Sequence, residues 1–137
     1  MIAVPKVTEQ SKKGLEFPKV ELHVHFDGSI RFSTLLDLSL AKGTPLKGAR
    51  TVEELKEVLI THEPANLSKV LEAFDLFLPV VRGDKDAIER IAYELCEDQA
   101  ANGVIYFEGR YSPHLLTEPG GPVGFYYFFR YGHCYES

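Results

Sequence analysis

The sequence predicts an α/β fold in which two β-strands pair in parallel across a helical connection. Residues 20–26 alternate strictly between apolar and polar side chains, which is the period of a β-strand. Segments with helical apolar spacing follow, and a second strand over 104–111 comes directly after the last of them. A strand, a helical crossover and a second strand of one sheet form a right-handed parallel unit by default.

The first strand carries the residues of greatest chemical interest. Its apolar face is made of Val20, Leu22, Val24 and Phe26, and its polar face of Glu21, His23, His25 and Asp27. Two imidazoles at positions i and i+2 share a strand face and can converge on one metal ion. Asp27 follows them at the carboxyl end of the strand, where Gly28 lets the chain turn away. An isolated His-x-His is weak evidence alone, and the neighbouring carboxylate and glycine strengthen it.

The helical connection opens with two predicted helices. Ser33 is placed to cap the first, which ends at Gly43. The second opens at Thr51, and Glu54 three residues later gives the spacing of a capping box.

Two further helices complete the predicted connection. The third spans about 67–78 and ends at Pro79, because proline disfavours helical geometry in the residue before it. The fourth begins at Asp84 and stops at Asn102-Gly103, with Glu94 mostly off its apolar face. That apolar face consists of Ile88, Ile91, Ala92 and Leu95.

Two segments resemble the adenosine deaminase family of metal-dependent hydrolases. The string KVELHVHFDGSIR, from Lys19 to Arg31, is similar to the first barrel strand of that family. The strings RIAYE at 90–94 and GVIYFEGRYSPHLL at 103–116 are similar to its next long helix and second barrel strand. The resemblance runs from about residue 17 to residue 116. It implies an α/β fold that is the N-terminal part of a (β/α)8 TIM-type barrel, with the first two strands and a helical insertion.

The resemblance also implies a chemistry and a set of site residues. The family removes the amine of adenosine or 2′-deoxyadenosine by zinc-dependent hydrolysis of a cyclic amidine C–N bond, giving inosine or 2′-deoxyinosine and ammonia in purine salvage. His23 and His25 correspond to Zn²⁺ ligands, and His25 and Asp27 to substrate-binding residues. Asp27 corresponds to the contact with the ribose 5′-hydroxyl. A carboxylate accepts a hydrogen bond from a hydroxyl but repels a phosphate, which favours a nucleoside over a nucleotide.

The remaining catalytic groups of the family do not match any segment of this chain. They are a third histidine, two aspartates, a proton-donating glutamate and a water-orienting histidine, and all come from later strands. Of the other histidines, we expect His62 to lie on the surface, His114 to make structural hydrogen bonds, and His133 to bind no metal. We therefore assign no catalytic residue and expect the 137-residue chain, too short for a barrel of about 250 residues, to be truncated and inactive alone.

Other residues of the matching segments have expected structural roles. Leu67, Val70, Leu71 and Phe74 fall on the helix that covers the purine pocket in the family, and their spacing also suits a core. Glu108 and Arg110 share a face of the second strand, where we expect a structural ion pair. Gly109 replaces the β-branched residue usual in the family and weakens the strand.

Three functions remain open from the sequence. The first is the adenosine deaminase just described. The second is a broader amidohydrolase, which would need a metal-bridging lysine that we do not identify. The third is a non-catalytic truncated isoform that binds, interferes or is degraded.

Composition excludes several classes of protein. The net charge of −5 and the absence of a basic stripe argue against nucleic-acid binding. Apolar runs fall short of the ~18 residues of a membrane span, so we expect no transmembrane segment. Two cysteines do not make a disulfide framework, and Cys96 is expected to be a buried thiol. A cytoplasmic location is the expectation.

The two ends of the chain differ from the middle. Residues 1–16 are expected to form a solvated arm, and residues 117–137 a divergent tail with seven of the sixteen aromatic side chains. An alternative exon or a shifted reading frame explains the tail, and a natural divergent loop is the other interpretation. Open strand edges and the aromatic run at 125–129 predict self-association.

Overall fold

The computed structural model describes residues 17–44, 46–60 and 67–118 of the chain. Its elements in chain order are β1 (Lys19–His25), α1 (Phe32–Ala41), α2 (Val52–Leu59), α3 (Leu67–Val81), α4 (Lys85–Ala101), β2 (Val104–Arg110) and α5 (Pro113–Leu116). The predicted arm, residues 119–137 of the predicted tail, His62 and His133 lie outside the described residues. In the described part, no helix is long and apolar enough to cross a membrane.

The two strands form a parallel pair, as the sequence predicts. The register places Lys19 beside Val104 at one end and His25 beside Arg110 at the other. Main-chain bonds extend the pairing beyond both ends, because Lys19 N donates to Gly103 O (2.9 Å) and Phe26 N to Arg110 O (2.8 Å). The carboxyl ends of both strands therefore lie together.

The start of α1 differs from the prediction. Ser33 lies inside the first turn, and Arg31 occupies the N-cap position without a side-chain cap bond, so the predicted Ser33 cap is wrong. Arg31 instead reaches α4, where its Nη2 lies 2.7 Å from Asp98 Oδ1. This hydrogen bond raises the pKa of the Arg31 guanidinium further above its ordinary value. The loop between β1 and α1 is thus anchored by an ion pair rather than by a capping hydroxyl.

The predicted cap of α2 is confirmed. Thr51 Oγ1 accepts a hydrogen bond from Glu54 N at 3.2 Å. The Glu54 carboxylate accepts from Arg50 N at 2.8 Å, one residue before the position that a standard capping box would use.

Helix α3 continues past the proline at which the sequence predicts its end. Pro79 lies inside the helix, which runs to Val81. Proline removes only its own N–H, and Arg82 N still donates to Leu78 O at 2.8 Å. Val80 and Val81 are completely buried, so their packing favours one more turn.

Helix α4 begins and ends where the sequence predicts. Asp84 is the N-cap, and its Oδ1 accepts from Ala87 N at 2.9 Å. Its second oxygen, Oδ2, lies 2.7 Å from Lys42 Nζ, which joins the end of α1 to the start of α4. At the other end, Gly103 has φ +73°, a left-handed geometry that glycine adopts without strain.

Helices α1 to α4 bury one apolar core against the carboxyl end of β1. Its fully buried side chains include Leu55, Val80, Val81, Ile88 and Ile91. Glu94 is also buried, so its predicted place off the apolar face is wrong. It accepts a hydrogen bond of 2.5 Å from Thr34 Oγ1 and one of 2.8 Å from Arg90 Nε, which compensates for burying its carboxylate.

The core covers the strands incompletely within the described residues. Phe26, at the carboxyl end of β1, is buried. Val20 and Leu22 are 57% and 60% exposed, and Ile105 on β2 is 74% exposed. The apolar face predicted for β1 is therefore covered at one end only.

Substitution at Asp84 tests the junction of α1 and α4. We expect Asp84→Ala to lower the protection of α4 amides from hydrogen exchange by about 1 kcal/mol, because a cap is lost. Asp84→Asn keeps a capping oxygen and should lower this protection less, because it removes only the ion pair with Lys42. Equal losses in the two variants would contradict a capping role.

The pH dependence of the same junction follows from the Asp84 carboxyl. Hydrogen bonds from Lys42 and from Ala87 N lower its pKa from the ordinary 3.8. The unfolded state therefore binds this proton more tightly, so the stabilisation is complete above pH 3.8 and is lost as pH falls through the lowered pKa. We expect the difference in α4 protection between the wild type and Asp84→Asn to shrink on acidification. A difference independent of pH would argue against the ion pair.

The exposed strand residues generate a prediction about association. We expect the 137-residue chain to be helical, to bind apolar dyes and to self-associate through its strand edges. Leu22→Lys should reduce the associated fraction in size-exclusion chromatography, whereas Glu53→Lys on α2 should not. A compact monomer with one sharp thermal transition would contradict this expectation.

Candidate metal and substrate site

The two histidines of β1 converge as the alternating pattern predicts. His23 Nε2 and His25 Nε2 lie 3.1 Å apart, and the ring centroids are 5.0 Å apart. Both rings are exposed on the polar face of the strand. Without a metal, one ring nitrogen donates to the other, and a bound cation would replace that proton.

This separation fits two ligands of a single ion. Imidazole nitrogens lie about 2.0–2.1 Å from zinc, so two of them in tetrahedral positions are roughly 3.3 Å apart. A third ligand is not among residues 17–44, 46–60 and 67–118, which hold no group of three or more His, Cys, Asp or Glu side chains able to bind a metal. Within these residues, His23 and His25 are therefore the two candidate ligands.

Asp27 lies at the same end of β1 in a different environment. It is only 8% exposed, and its Oδ1 is buried without a hydrogen-bond partner among residues 17–44, 46–60 and 67–118. His25 Nδ1 is 3.8 Å from this oxygen, too far for a hydrogen bond. A buried acceptor without a partner is costly and is ready for a donor from a bound molecule.

An aromatic side chain of α3 approaches the turn after Asp27. A Cβ placed on Gly28 would lie 3.6 Å from Phe74 Cζ, and Phe74 packs against Phe77 with ring centroids 5.1 Å apart. Leu71, one turn earlier, is largely exposed. The side chains of Leu67 and Val70 lie outside the described residues. The Phe74 ring therefore lies beside the turn that follows Asp27.

Hydrogen bonds fix the backbone of this turn. Ser29 Oγ donates to His25 O at 2.5 Å, and Ser29 N donates to Phe26 O at 3.1 Å. Together with the Arg31–Asp98 ion pair, these bonds hold the segment that carries His25, Asp27 and Gly28.

The polar face of β2 lies beside that of β1. The predicted ion pair of Glu108 with Arg110 is confirmed, and Tyr106 Oη donates to Glu108 Oε1 at 3.1 Å. Arg110 also reaches across to β1, where its Nη2 donates to Leu22 O at 3.4 Å. This cross-strand contact was not predicted from the sequence.

Glu21 is a residue of this site to which the sequence analysis gave no role. Its Oε1 accepts a hydrogen bond from His23 N at 3.3 Å. Strict alternation would place Glu21 on the histidine face, but the register shifts between Glu21 and Val24, so this contact follows from the structure and not from the pattern. His114 lies on α5, exposed, and its carbonyl accepts from Thr117 Oγ1 at 3.3 Å.

Comparison with known proteins identifies one family, because the family model and the relatives that match carry the same description. Residues 18–125 match the model of a family described as adenosine deaminase. The chain is 50% identical over 109 residues to adenosine deaminase of Danio rerio, covering 80% of this chain and 30% of that protein. It is 50% identical over 100 residues to the Gallus gallus protein of that name, covering 73% and 28%.

The similarity extends to bacteria but covers only part of each relative. Adenosine deaminase of Clostridium botulinum is 40% identical over 106 residues, covering 77% of this chain and 31% of that protein. The chain thus spans about 30% of the length of the relatives it matches. The match to the family model includes nine residues beyond Leu116, within the predicted tail.

Proposed function

Because the chain belongs to the adenosine deaminase family of (β/α)8-barrel hydrolases, we propose that it supplies part of a site that deaminates adenosine or 2′-deoxyadenosine by hydrolysis. The products are inosine or 2′-deoxyinosine and ammonia. One observation carries the proposal: a converging pair of imidazoles lies beside a buried carboxylate oxygen that has no hydrogen-bond partner in the described part of the chain. The first suits a metal ion and the second suits a donor on a substrate.

His23 and His25 would hold the metal, which we propose to be Zn²⁺. A bound zinc lowers the pKa of a water ligand to about 7 and so provides a nucleophile at neutral pH. The histidines must be neutral to bind it, with Nε2 of each directed at the same point. The 3.1 Å separation of these nitrogens supports that role.

Asp27 would bind the sugar of the nucleoside. A ribose 5′-hydroxyl donating to Oδ1 would satisfy the buried oxygen, which has no hydrogen-bond partner among the residues that the structure describes. A phosphate in the same place would repel the carboxylate by about 4 kcal/mol per unit charge at 4 Å and an effective dielectric of 20. The site therefore favours a nucleoside over its monophosphate. His25, 3.8 Å away through Nδ1, would border the same substrate.

Phe74 and Leu71 would form an apolar wall for the purine ring. The position of Phe74 supports this role, because a Cβ placed on Gly28 at the strand end would be in ordinary van der Waals contact with its ring, at 3.6 Å. An aromatic wall removes water from the base and leaves the polar contacts to the strand ends.

A non-catalytic role is the second candidate. The described residues include two candidate metal ligands and no group of three, and we find no segment of the sequence that resembles the family's proton donor or water-orienting residues. A polypeptide made of these 137 residues would then bind or interfere without turning over substrate. Both proposals hold together if catalysis needs the remaining strands of the barrel.

A chimera tests the proposed reaction. Residues 18–116 of this chain would replace the matching segment of the Danio rerio enzyme, and inosine formation from adenosine would be measured by chromatography in the presence of zinc. We expect activity of the same order as the parent enzyme. A folded, zinc-loaded chimera without activity would contradict the proposal.

Physiological context belongs to the same proposal. We place the reaction in purine salvage and in the cytoplasm. Cell fractionation with an antibody raised against residues 17–118 tests the location, and recovery of the protein from secretory compartments would contradict it.

Substitutions in the chimera separate metal binding from nucleoside binding. We expect His23→Ala or His25→Ala to remove both zinc and activity, measured by metal analysis and assay. Asp27→Ala should keep zinc and raise the KM for adenosine roughly 10- to 100-fold, because a hydrogen bond to a charged acceptor is lost. His62→Ala, at a predicted surface position, serves as the matched control. Loss of zinc in Asp27→Ala would make that carboxylate a metal partner instead.

The chain by itself should not turn over substrate. We expect the purified 137-residue polypeptide to form no inosine above background with zinc present, because absence of an acid–base group alone costs about 10²–10⁴-fold. The chimera, assayed in parallel, is the positive control. Inosine formation within about tenfold of the chimera would show that the missing groups are present in this chain.

A further inference from the structure

The peptide that joins Leu22 to His23 stands outside the β1–β2 ladder. Cα pairing with β2 includes Lys19, Val20 and Glu21 and resumes at Val24 and His25, with a shift of register between Lys19 and Val20 and a second one, across Leu22 and His23, between Glu21 and Val24. An irregularity of this kind bends a strand and re-aims a side chain, and such features recur next to functional sites. Here it falls directly before the first histidine of the candidate metal pair.

Side chains, rather than the main chain of β2, bind both polar groups of that peptide. The His23 N–H donates to Glu21 Oε1 at 3.3 Å, and the Leu22 carbonyl accepts from Arg110 Nη2 at 3.4 Å. Main-chain groups need partners, and these two side chains supply them from opposite ends of one peptide plane. We call Glu21 and Arg110 the peptide clamp.

Arg110 is itself held in place by two further contacts. Its guanidinium pairs with the Glu108 carboxylate, which also accepts from Tyr106 Oη at 3.1 Å. Its main-chain carbonyl accepts from Phe26 N at 2.8 Å. Arg110 therefore contacts β1 on both sides of the His23–His25 segment, before it through the side chain and after it through the backbone.

We propose that Glu21 and Arg110 are positioning residues, which fix the Leu22–His23 peptide so that the His23 ring meets His25 at one metal ion. This proposal rests on the proposed function, in which the two histidines bind zinc. The reason is geometric. Rotation of the peptide plane would swing the Cα–Cβ bond of His23, and metal ligands tolerate little misdirection because the ion fixes both distance and angle.

The clamp contributes orientation rather than stability of the fold. Both of its side chains are exposed, and exposed ion pairs add little to stability. Removal of either should leave the helices intact. Residues that orient metal ligands nevertheless change metal affinity by about tenfold or more.

Zinc titration of the 137-residue chain tests the clamp. The heat of Zn²⁺ binding would be measured by calorimetry at low micromolar protein, with the double variant His23→Ala/His25→Ala defining binding elsewhere. We expect Glu21→Ala and Arg110→Ala each to weaken the histidine-dependent affinity about tenfold. Glu21→Gln should keep nearly full affinity, because its amide oxygen still accepts from His23 N.

Arg82→Ala is the matched control. Arg82 Nε also donates to a main-chain carbonyl, that of Leu115, at 3.0 Å, but away from β1. Its loss should leave zinc affinity unchanged. Amide hydrogen exchange gives a second readout without metal: His23 N–H should exchange faster in Glu21→Ala and not in Glu21→Gln.

The outcomes separate the clamp from the proposed function. Unchanged zinc binding in the double histidine variant would overturn the metal site and the clamp with it. Histidine-dependent binding that is unaffected by Glu21→Ala and Arg110→Ala would overturn the clamp alone. Equal loss in Glu21→Gln and Glu21→Ala would also overturn it, because the carboxylate charge rather than its acceptor role would then matter.

Discussion

The described fold depends on the parallel pairing of β1 with β2. Parallel neighbours cannot be joined by a tight turn, so the chain must cross the sheet and return to the starting end. Gly103 makes that return, and the bond from Lys19 N to Gly103 O fixes where β2 begins. Because of this register, the carboxyl ends of both strands meet, and His25 pairs with Arg110. The contact of Arg110 with the strand that carries the candidate site depends on this coincidence.

Polar contacts inside the helical layer keep that crossover in one arrangement. Thr34 on α1 and Arg90 on α4 both bind the buried Glu94 carboxylate. Arg90 Nη2 also lies 3.1 Å from Asp37, so it joins the buried contact to the surface of α1. These bonds are directional where apolar packing is not. They select one rotation of α4 against α1, and α4 in turn holds Arg31 and the loop after Asp27.

Sequence patterns predicted the features that depend on neighbouring residues, namely the first strand and two of the helix caps. Strict alternation identified β1 and its polar face, and the caps at Thr51 and Asp84 follow from side chains that bind their own helix. The prediction at Pro79 was wrong because the burial of two valines outweighs a local preference. The burial of Glu94 was not predicted, because it depends on partners that apolar periodicity does not reveal. Thr34 lies 60 residues earlier on α1, and Arg90 is a charged residue of the same helix.

The same limit applies to the site. The convergence of His23 and His25 follows from their spacing, since both belong to one strand. The approach of Phe74 to Gly28 and the contact of Arg110 with Leu22 join residues far apart in sequence, and only the packed structure brings them together. The metal and substrate roles of His23, His25 and Asp27 stay predictions, supported by geometry at the strand end.

The two paired strands lie far apart in the sequence, and this has a consequence for biosynthesis. Lys19 pairs with Val104, 85 positions later. At about 5–20 residues per second, a ribosome takes roughly 4–17 s to deliver the partner of β1. During that interval, the valine and leucine side chains of β1 are in water with no strand beside them, while helices form in microseconds. A nascent chain of this kind offers a chaperone a defined segment and a defined time in which to bind it.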